Sequence, residues 1–412
     1  MKQPSILLDP AFLRLWTGAT ASGLATWALP FVLGLAVFER TLTATDLGLL
    51  LAARTVGFLA AVPVAGVLAD RHSRRGVVLW AGLASGAAAP VIAAGLGRSV
   101  LLMAAAAAVA GAGQGACRPA YQALTAEVVD AGRRQQANAA MTLAVRVTTL
   151  VGPSSAALLA VFLDTWALLV GIGLLWLVAA CAPVTGARPG AAEGTPEPAA
   201  GAVRASFLAE FAEGVREARR HPWFLAGLGA LTAVIATGYS ATGVALPLVS
   251  RDEYGTEVVL AGAMTAYTAG ALGGALLMAR WRPRFPGWAA LTGLAAYGFA
   301  PLSLVFPVHP VVVMAAYAVA GIGIELFNVP WFTAAQREVA PDKLARVSSL
   351  DFLLSYGLAP LGLALIAPAI DAFGATAVLA GCALVCFAAP ATAALAPGAR
   401  GFSVPRGRGT TP

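Results

Sequence analysis

Long apolar runs separated by short polar segments set the pattern of this chain. Each run is about 20 residues or longer, the length at which a helix crosses the hydrocarbon layer of a bilayer. The pattern therefore predicts about twelve membrane-spanning helices. Their approximate bounds are 11–37, 45–69, 77–97, 99–122, 137–163, 166–186, 222–250, 257–280, 287–307, 310–334, 347–372 and 374–396.

Composition supports an all-α membrane protein. Hydrophobic residues make up 59% of the chain and charged residues only 11%, whereas soluble domains carry roughly 25% charged residues. The apolar runs are rich in Gly and Ala, which membrane helices use for close packing. The first run lacks a signal-peptide cleavage pattern, so we expect it to be retained as a crossing.

Basic residues divide unevenly between the two ends of the predicted spans. Arg40, Arg98 and Arg251 fall on one side. The opposite side carries most of the others, including Arg71, Arg74, Arg75, Arg133, Arg134, Arg280, Arg282 and Arg284. The positive-inside rule makes that side cytoplasmic, together with both termini, in a multi-pass protein of the cell membrane. Because these charges lie on short turns between crossings, nucleic acid is a poor partner for them.

A change of composition at 187–221 divides the spans into two groups. We expect an N-terminal bundle of roughly six helices at 1–186 and a C-terminal bundle of roughly six at 222–396. The connector is a hydrated linker followed by an amphipathic helix suited to the membrane surface; an extension of the seventh crossing is the alternative. Residues 397–412 are predicted to be a disordered cytoplasmic tail.

The two groups share short sequence elements between the fourth and tenth spans. Gly111-x-Gly113, Pro119, Glu127 and Arg134 recur as Gly321-x-Gly323, Pro330, Glu338 and Arg346. Repeated halves that rock about a central site are typical of secondary transporters. This pattern predicts two pseudo-symmetric bundles, with chance matching in a low-complexity sequence as the alternative.

The turn after the second span carries the most specific motif. Gly66-Val-Leu-Ala-Asp-Arg-His-Ser-Arg-Arg75 resembles the signature loop of the major facilitator superfamily, G-x-L-A-D-R-x-G-R-R/K, with Ser73 in place of the second glycine. The resemblance implies a gating loop at the interface between halves. Asp70 can accept hydrogen bonds at the positive N-terminal end of a helix near Ser348. Alternatively, the arginines only anchor the hairpin. The resemblance assigns the expected gating role to Gly66, Asp70, Arg71, Arg74 and Arg75.

The fifth span carries Gly152-Pro153, which is similar to the antiporter motif of exporters and suits a hinge; a plain proline kink is the alternative. The stretches Gly66–Arg75, Met141–Pro153 and Gln336–Arg346 resemble the macrolide-efflux and enterobactin-exporter branch of the superfamily. Gly111 stands where drug antiporters usually have an Arg.

Arg54, Arg146 and Glu325 lie near the middle of their spans. An ionised side chain there costs about 2.5–3.5 kcal/mol, so we expect these three to line the substrate and proton path. Glu325 is predicted to carry protons, with Arg54 or Arg146 as the opposing charge; bonds from the arginines to backbone carbonyls are the alternative. Arg118 lies nearer the cytoplasm, and Asp351 is predicted to be a helix-terminal charge.

The favoured function is a secondary active transporter that exports small molecules of the drug, antibiotic or siderophore class by proton antiport. A facilitator or uptake symporter of the same fold is the main alternative, and a non-transport receptor is a weaker one. An ATP-driven pump requires a phosphate-binding loop that ends in Gly-Lys-Ser/Thr. The lysines of this chain are Lys2 and Lys343, and neither follows a glycine. His72, His221 and His309 lie on separate loops, so no enzyme is expected. We expect no catalytic residue, cofactor or metal, and a protein that works as a monomer with protons, a small solute and the lipid bilayer.

Overall fold

The computed structural model describes residues 5–71, 73–183, 207–255, 258–357 and 359–403. Helices and turns, without a strand, make up these described residues. His72, most of the predicted linker and residues 404–412 of the predicted tail lie outside them. The helices are α1 Pro10–Phe38, α2 Ala44–Arg71, α3 Arg74–Gly95, α4 Val100–Val128, α5 Arg134–Leu159, α6 Thr165–Cys181, α7 Phe207–Arg219, α8 Pro222–Val234, α9 Ser240–Asp252, α10 Val258–Arg280, α11 Pro286–Ala295, α12 Phe299–Leu302, α13 Pro310–Glu338, α14 Leu344–Gly357, α15 Ala359–Phe373 and α16 Ala375–Ala393.

Nine helical stretches among the described residues are long and apolar enough to cross a membrane. One of them, Pro222–Asp252, contains a π-helical turn at Ile235–Tyr239 between α8 and α9. The predicted span 166–186 appears as the shorter helix α6. The all-α membrane fold predicted from the hydrophobic pattern is confirmed.

One predicted span is interrupted among the described residues, and another contains a residue that the structure does not describe. A 3₁₀ turn at Ala296–Gly298 separates α11 from α12 within the span predicted at 287–307. Pro301 follows four residues after Tyr297 and has no N–H to donate to the Tyr297 carbonyl, which accounts for the break. The span predicted at 347–372 is described as α14 and α15, and residue 358 between them is not described.

The chain forms two compact units. Unit 1 contains Met1–Ala137, Val147–Arg216 and Val339–Leu350, and unit 2 contains Asn138–Arg146, Glu217–Glu338 and Asp351–Pro412. The sequence predicts one boundary between the two bundles, within 187–221. The observed division differs from it in two short segments. Residues 138–146 of α5 contribute to unit 2, and residues 339–350, which include the start of α14, contribute to unit 1.

Unit 1 depends on direct contact between the backbones of α2 and α4. A Cβ atom on Gly111 would overlap the carbonyl group of Arg54, and one on Gly115 would lie 2.5 Å from the Phe58 carbonyl oxygen. Small residues allow this close approach in membranes, where van der Waals packing rather than a hydrophobic force joins helices. An Arg at position 111 would not fit, which explains this departure from the drug-antiporter pattern.

Unit 2 repeats this arrangement with α10 and α13. A Cβ atom on Gly321 would overlap the Tyr267 carbonyl oxygen, as one on Gly111 would overlap that of Arg54. Likewise, Gly113 packs on α3 and Gly323 packs on α11. The recurring Gly-x-Gly elements therefore occupy equivalent helix contacts within their own units.

Replacing Gly111 with Ala should destabilise the protein by about 1–3 kcal/mol, the usual cost of forcing extra atoms into a packed contact. Thermal unfolding of detergent-purified protein measures this loss. Gly171→Ala in α6 is the matched control, because a Cβ atom there meets nothing within 4 Å. Equal unfolding temperatures for the two variants would contradict the proposed backbone contact.

The first residues of the predicted tail pack against unit 2. The Phe402 ring is fully buried and stacks on Trp223 with 5.2 Å between ring centroids. Arg337 at the end of α13 donates to the carbonyls of Gly401 and Phe402, at 3.2 and 2.9 Å. Residues 397–403 thus form an ordered end to unit 2, unlike the disordered tail that the sequence predicts from 397.

Candidate functional site

The Asp70 carboxylate lies at the N-terminal end of α14, within unit 1. Its side chain is fully buried. Oδ1 accepts from the Ala345 backbone N–H at 3.2 Å, and Oδ2 accepts from the Arg346 backbone N–H at 3.0 Å. The Arg346 guanidinium adds a third bond, from Nε to Oδ2 at 3.1 Å. The helix-end contact expected near Ser348 is therefore present two to three residues earlier, and it includes an ion pair.

Gly66 permits this contact. A Cβ atom at Gly66 would lie 2.6 Å from Ser349 Oγ and 2.9 Å from the Ala345 carbonyl oxygen. Any larger residue would push α14 away from α2 and draw its N-terminal amides away from Asp70. Thus the motif's glycine and aspartate act on the same helix end.

Arg74 joins the loop to the residues around it. Arg74 pairs with Glu127 of α4 at 3.3 Å and also donates to the Pro341 carbonyl. Arg71 is the last residue of α2, and Arg75 Nη1 is buried without a hydrogen-bond partner among the described residues. Ser73, at the position of the motif's second glycine, caps α3: its Oγ accepts from the Gly76 N–H at 3.1 Å.

Helix α7 joins this network through Glu213, which sequence reasoning missed. Glu213 pairs with Arg346 at 2.9 Å and with Lys343 at 3.4 Å. Burial acts to raise the pKa of Glu213, but the positive charges of Arg346 and Lys343 and their hydrogen bonds outweigh it, so this pKa lies below its ordinary value. The carboxylate is therefore ionised at neutral pH, and Arg346 contacts acids on both α2 and α7.

Unit 2 contains a buried ion pair between α5 and α13. Arg146 Nε lies 2.5 Å from Glu325 Oε1, and the Glu325 side chain has no exposed surface. The Arg146 guanidinium also lies 5.7 Å from the centre of the Tyr267 ring. Of the two opposing charges that the sequence offered for Glu325, the structure selects Arg146.

Arg54 lies in unit 1, where it binds α1 and α4. Its Nη2 donates to the Thr26 carbonyl at 3.1 Å and to Gln114 Oε1 at 2.6 Å. Thr26 precedes Pro30 by four residues, so its carbonyl has no helical N–H partner and Arg54 supplies one. The carbonyl bond considered as an alternative for Arg54 is present.

Gly152 and Pro153 lie inside α5, which continues as a helix to Leu159. A Cβ atom on Gly152 would approach Trp27 Cβ to 3.0 Å, so this glycine serves a close contact with α1. Pro153 removes the N–H that would bond the Thr149 carbonyl. These features are compatible with a hinge and equally with a packed proline kink.

Unit 2 contains two further polar contacts, one at a residue that the sequence misplaced and one between residues that the sequence analysis did not single out. Asp351, predicted to be a helix-terminal charge, is 4% exposed and lies inside α14, where it accepts bonds from Trp331 Nε1 at 3.0 Å and Ser355 at 3.1 Å. That prediction was wrong because α14 begins at Leu344. Asn138 and Gln336 bond each other through both amide groups, at 3.0 and 3.3 Å. For Asp351, the sequence signal of a buried hydrogen-bonded position was Ser355, which lies one helical turn further along the chain.

The sequence model described as the Major Facilitator Superfamily matches residues 15–363. The chain belongs to the major facilitator superfamily. It is accordingly a multi-pass membrane transporter of small molecules and not an enzyme. No curated protein sequence matches it.

Two solved structures of major facilitator proteins resemble this one. The human organic anion transporter MFSD10 (TETRAN) superimposes with a TM-score of 0.74 and 17% identity, over 95% of this chain and 100% of that one. A bacterial homologue of the iron transporter ferroportin, in an outward-facing state with soaked iron, gives 0.69 and 15%, over 93% and 97%. At these identities the likeness is one of fold alone.

Proposed function

We propose that this superfamily member exports small molecules of the drug, antibiotic or siderophore class by proton antiport with alternating access. The observation that carries the proposal is the Arg146–Glu325 pair. A carboxylate with no exposed surface inside a membrane-spanning helix is costly and usually functional. Glu325 lies on α13, the helix that also carries Trp331, which donates a hydrogen bond to Asp351.

The geometry of Glu325 suits proton exchange. Oε1 is held by Arg146, whereas Oε2 is buried and makes no hydrogen bond of normal geometry with the described residues, although the Asn328 side chain lies near the carboxyl. A proton on Glu325 would remove the charge that attracts Arg146. Arg146 could then donate to another acceptor, so that proton binding and the position of α5 are linked.

Export is proposed as the direction because Gly152-Pro153 is similar to the exporter hinge and the chain resembles the macrolide-efflux and enterobactin-exporter branch. We place the protein in the cell membrane with both termini in the cytoplasm, as the distribution of basic residues favours, and propose that it works as a monomer. The network of Asp70, Arg346 and Glu213 is proposed as the cytoplasmic gate.

The test is transport driven by an imposed pH gradient. A growth-inhibition panel of drugs and siderophores, in a host without its own exporters, first selects the compound against which the chain protects best. Everted vesicles under an inward-acidic gradient should accumulate that compound. Glu325→Gln should abolish accumulation yet permit downhill equilibration, because the amide carries no exchangeable carboxyl proton.

Glu338→Gln is the matched control, since Glu338 lies at the end of the same helix and pairs with Arg337. If the pH gradient still drives accumulation in Glu325→Gln as well as in the unmodified protein, the coupling role of Glu325 is refuted. If the unmodified protein equilibrates the compound at the same rate with and without the pH gradient, the protein is a facilitator. A receptor would show neither accumulation nor equilibration.

A further inference from the structure

Unit 1 contains a group of hydrogen-bond donors that is separate from the proposed proton-coupling pair Arg146–Glu325. Gln114 and Arg118 lie one turn apart on the same face of α4. Arg54 of α2 reaches Gln114 Oε1 at 2.6 Å. The group is brought together by the backbone contact of α2 with α4 at Gly111 and Gly115.

Arg54 keeps unused donors. The Arg54 Nη2 atom donates to Thr26 and Gln114. The Nε and Nη1 atoms make no hydrogen bond with the described residues. Neither of them is a buried atom left without a hydrogen-bond partner. The residue as a whole is partly exposed. Because guanidinium N–H groups directed into hydrocarbon are costly, this exposed edge faces water or a solute.

Gln114 contributes donors too. Its Oε1 accepts from Arg54, so the amide –NH₂ group points away from that bond. Arg118 lies over the Phe58 ring, 5.9 Å from its centre, which places an aromatic surface beside the basic group. The group thus combines N–H donors with a buried aromatic ring beneath Arg118.

The local charge is positive. Arg118 lies near enough to Arg54 to act on it electrostatically, and the two charges have the same sign. Acidic residues described in unit 1 lie at helix ends, in loops or on α7: Asp9, Glu39, Asp46, Asp70, Glu127, Asp130, Asp164, Glu213 and Asp342. Within this part of the described chain, the middle of the spans therefore offers two guanidinium charges and no carboxylate.

We propose that Arg54, Gln114 and Arg118 bind the oxyanion group of the transported solute, so that the substrate is an organic anion bearing a carboxylate or phosphate. Guanidinium groups form their strongest hydrogen bonds with these oxyanions. This inference rests on the proposed transport function, because it assumes that a solute reaches these residues.

Binding of two dyes that share a xanthene scaffold but differ in charge provides the test. Carboxyfluorescein is anionic and rhodamine 6G is cationic, and fluorescence anisotropy reports the binding of each to detergent-purified protein. We expect carboxyfluorescein to bind and rhodamine 6G not to bind. Arg118→Gln should weaken carboxyfluorescein binding about tenfold or more, the usual effect of losing one charge-assisted bond.

Arg98→Gln is the matched control, because it removes the same charge from an exposed loop of unit 1. Arg118 is the primary site of substitution since Arg54 also satisfies the Thr26 carbonyl and its loss can disturb folding. Arg54→Lys, which keeps the charge but not the planar fork, should weaken carboxyfluorescein binding while preserving the unfolding temperature.

Rhodamine 6G binding in place of carboxyfluorescein would overturn the inference, as would equal affinities in Arg118→Gln and Arg98→Gln. Absence of binding by carboxyfluorescein, together with no thermal stabilisation by phenyl phosphate, would also overturn it. These outcomes are separate from the test of proton coupling. A protein that accumulates a cationic drug under a pH gradient would retain the proposed function and lose only the anionic substrate class.

Discussion

Replacing Arg146 with Met should destabilise the protein by about 3–5 kcal/mol, because the change leaves Glu325 buried and without its ion-pair partner. The pair is close, at 2.5 Å, and Glu325 has no exposed surface. Thermal unfolding of detergent-purified protein measures the effect.

Two comparisons separate this explanation from a general loss of packing. Arg251→Met removes the partner of Asp252 from an exposed pair, in which the side chains are 72% and 56% exposed, and it should change the unfolding temperature little because water screens the two charges. The double variant Arg146→Met/Glu325→Gln should recover most of the lost stability, since a neutral amide is less costly to bury than an unpaired charge. Recovery of stability without recovery of gradient-driven transport would show that the pair couples protons as well as stabilising unit 2.

A loss in Arg146→Met no greater than that in Arg251→Met would contradict the prediction. It would mean that Glu325 is already neutral in the folded protein or that its site readily admits water. Failure of the double variant to regain stability would instead assign the loss to the apolar stem of Arg146, which packs by the Tyr267 ring.

Replacing Asp70 with Asn should open the contact between α2 and α14. The substitution removes the charge that receives the Arg346 guanidinium and two backbone N–H groups. Breaking a buried pair of this kind costs about 3–5 kcal/mol. A shift of only about 1.4 kcal/mol changes a population tenfold, so the open form should become at least tenfold more populated.

Labelling of a cysteine at position 349 measures that opening. Ser349 is fully buried and lies against Gly66, so Ser349→Cys, in a protein without its four native cysteines, should react with a maleimide only when α14 separates from α2. Asp70→Asn should raise the labelling rate about tenfold or more. Asp46→Asn is the control, because Asp46 caps the opposite end of α2 through Thr43. Equal labelling rates for the two variants would exclude a gating role for Asp70.

The contact of Asp70 was predictable because its signals are local. Hydrophobic runs bound α2 and α3, and the resemblance of Gly66–Arg75 to the signature loop of the superfamily implied that the Asp70 carboxylate meets the N-terminal end of another helix. Arg346 and Glu213 were not predictable as its partners. They are more than 140 residues away in sequence, and only packing decides which distant helix end meets the loop.

Sequence alone placed Arg54, Arg146 and Glu325 in the middle of apolar helices, because an ionisable residue within such a run is visible without a structure. It left open which arginine opposes Glu325. Tertiary structure decided this: the Thr26 carbonyl, released by Pro30, and the Gln114 amide hold Arg54 in unit 1, whereas α5 brings Arg146 to Glu325 in unit 2.

Hydrophobicity and its period thus determined that the chain is a helical membrane protein, since about 20 apolar residues are needed at each crossing whatever their neighbours are. The pairing of charges depended on helix contacts set by small residues such as Gly111 and Gly321. A glycine shows that two helices can approach closely, but not which two. That choice is made by the complementary surfaces of helices far apart in sequence, so only the folded structure reveals it.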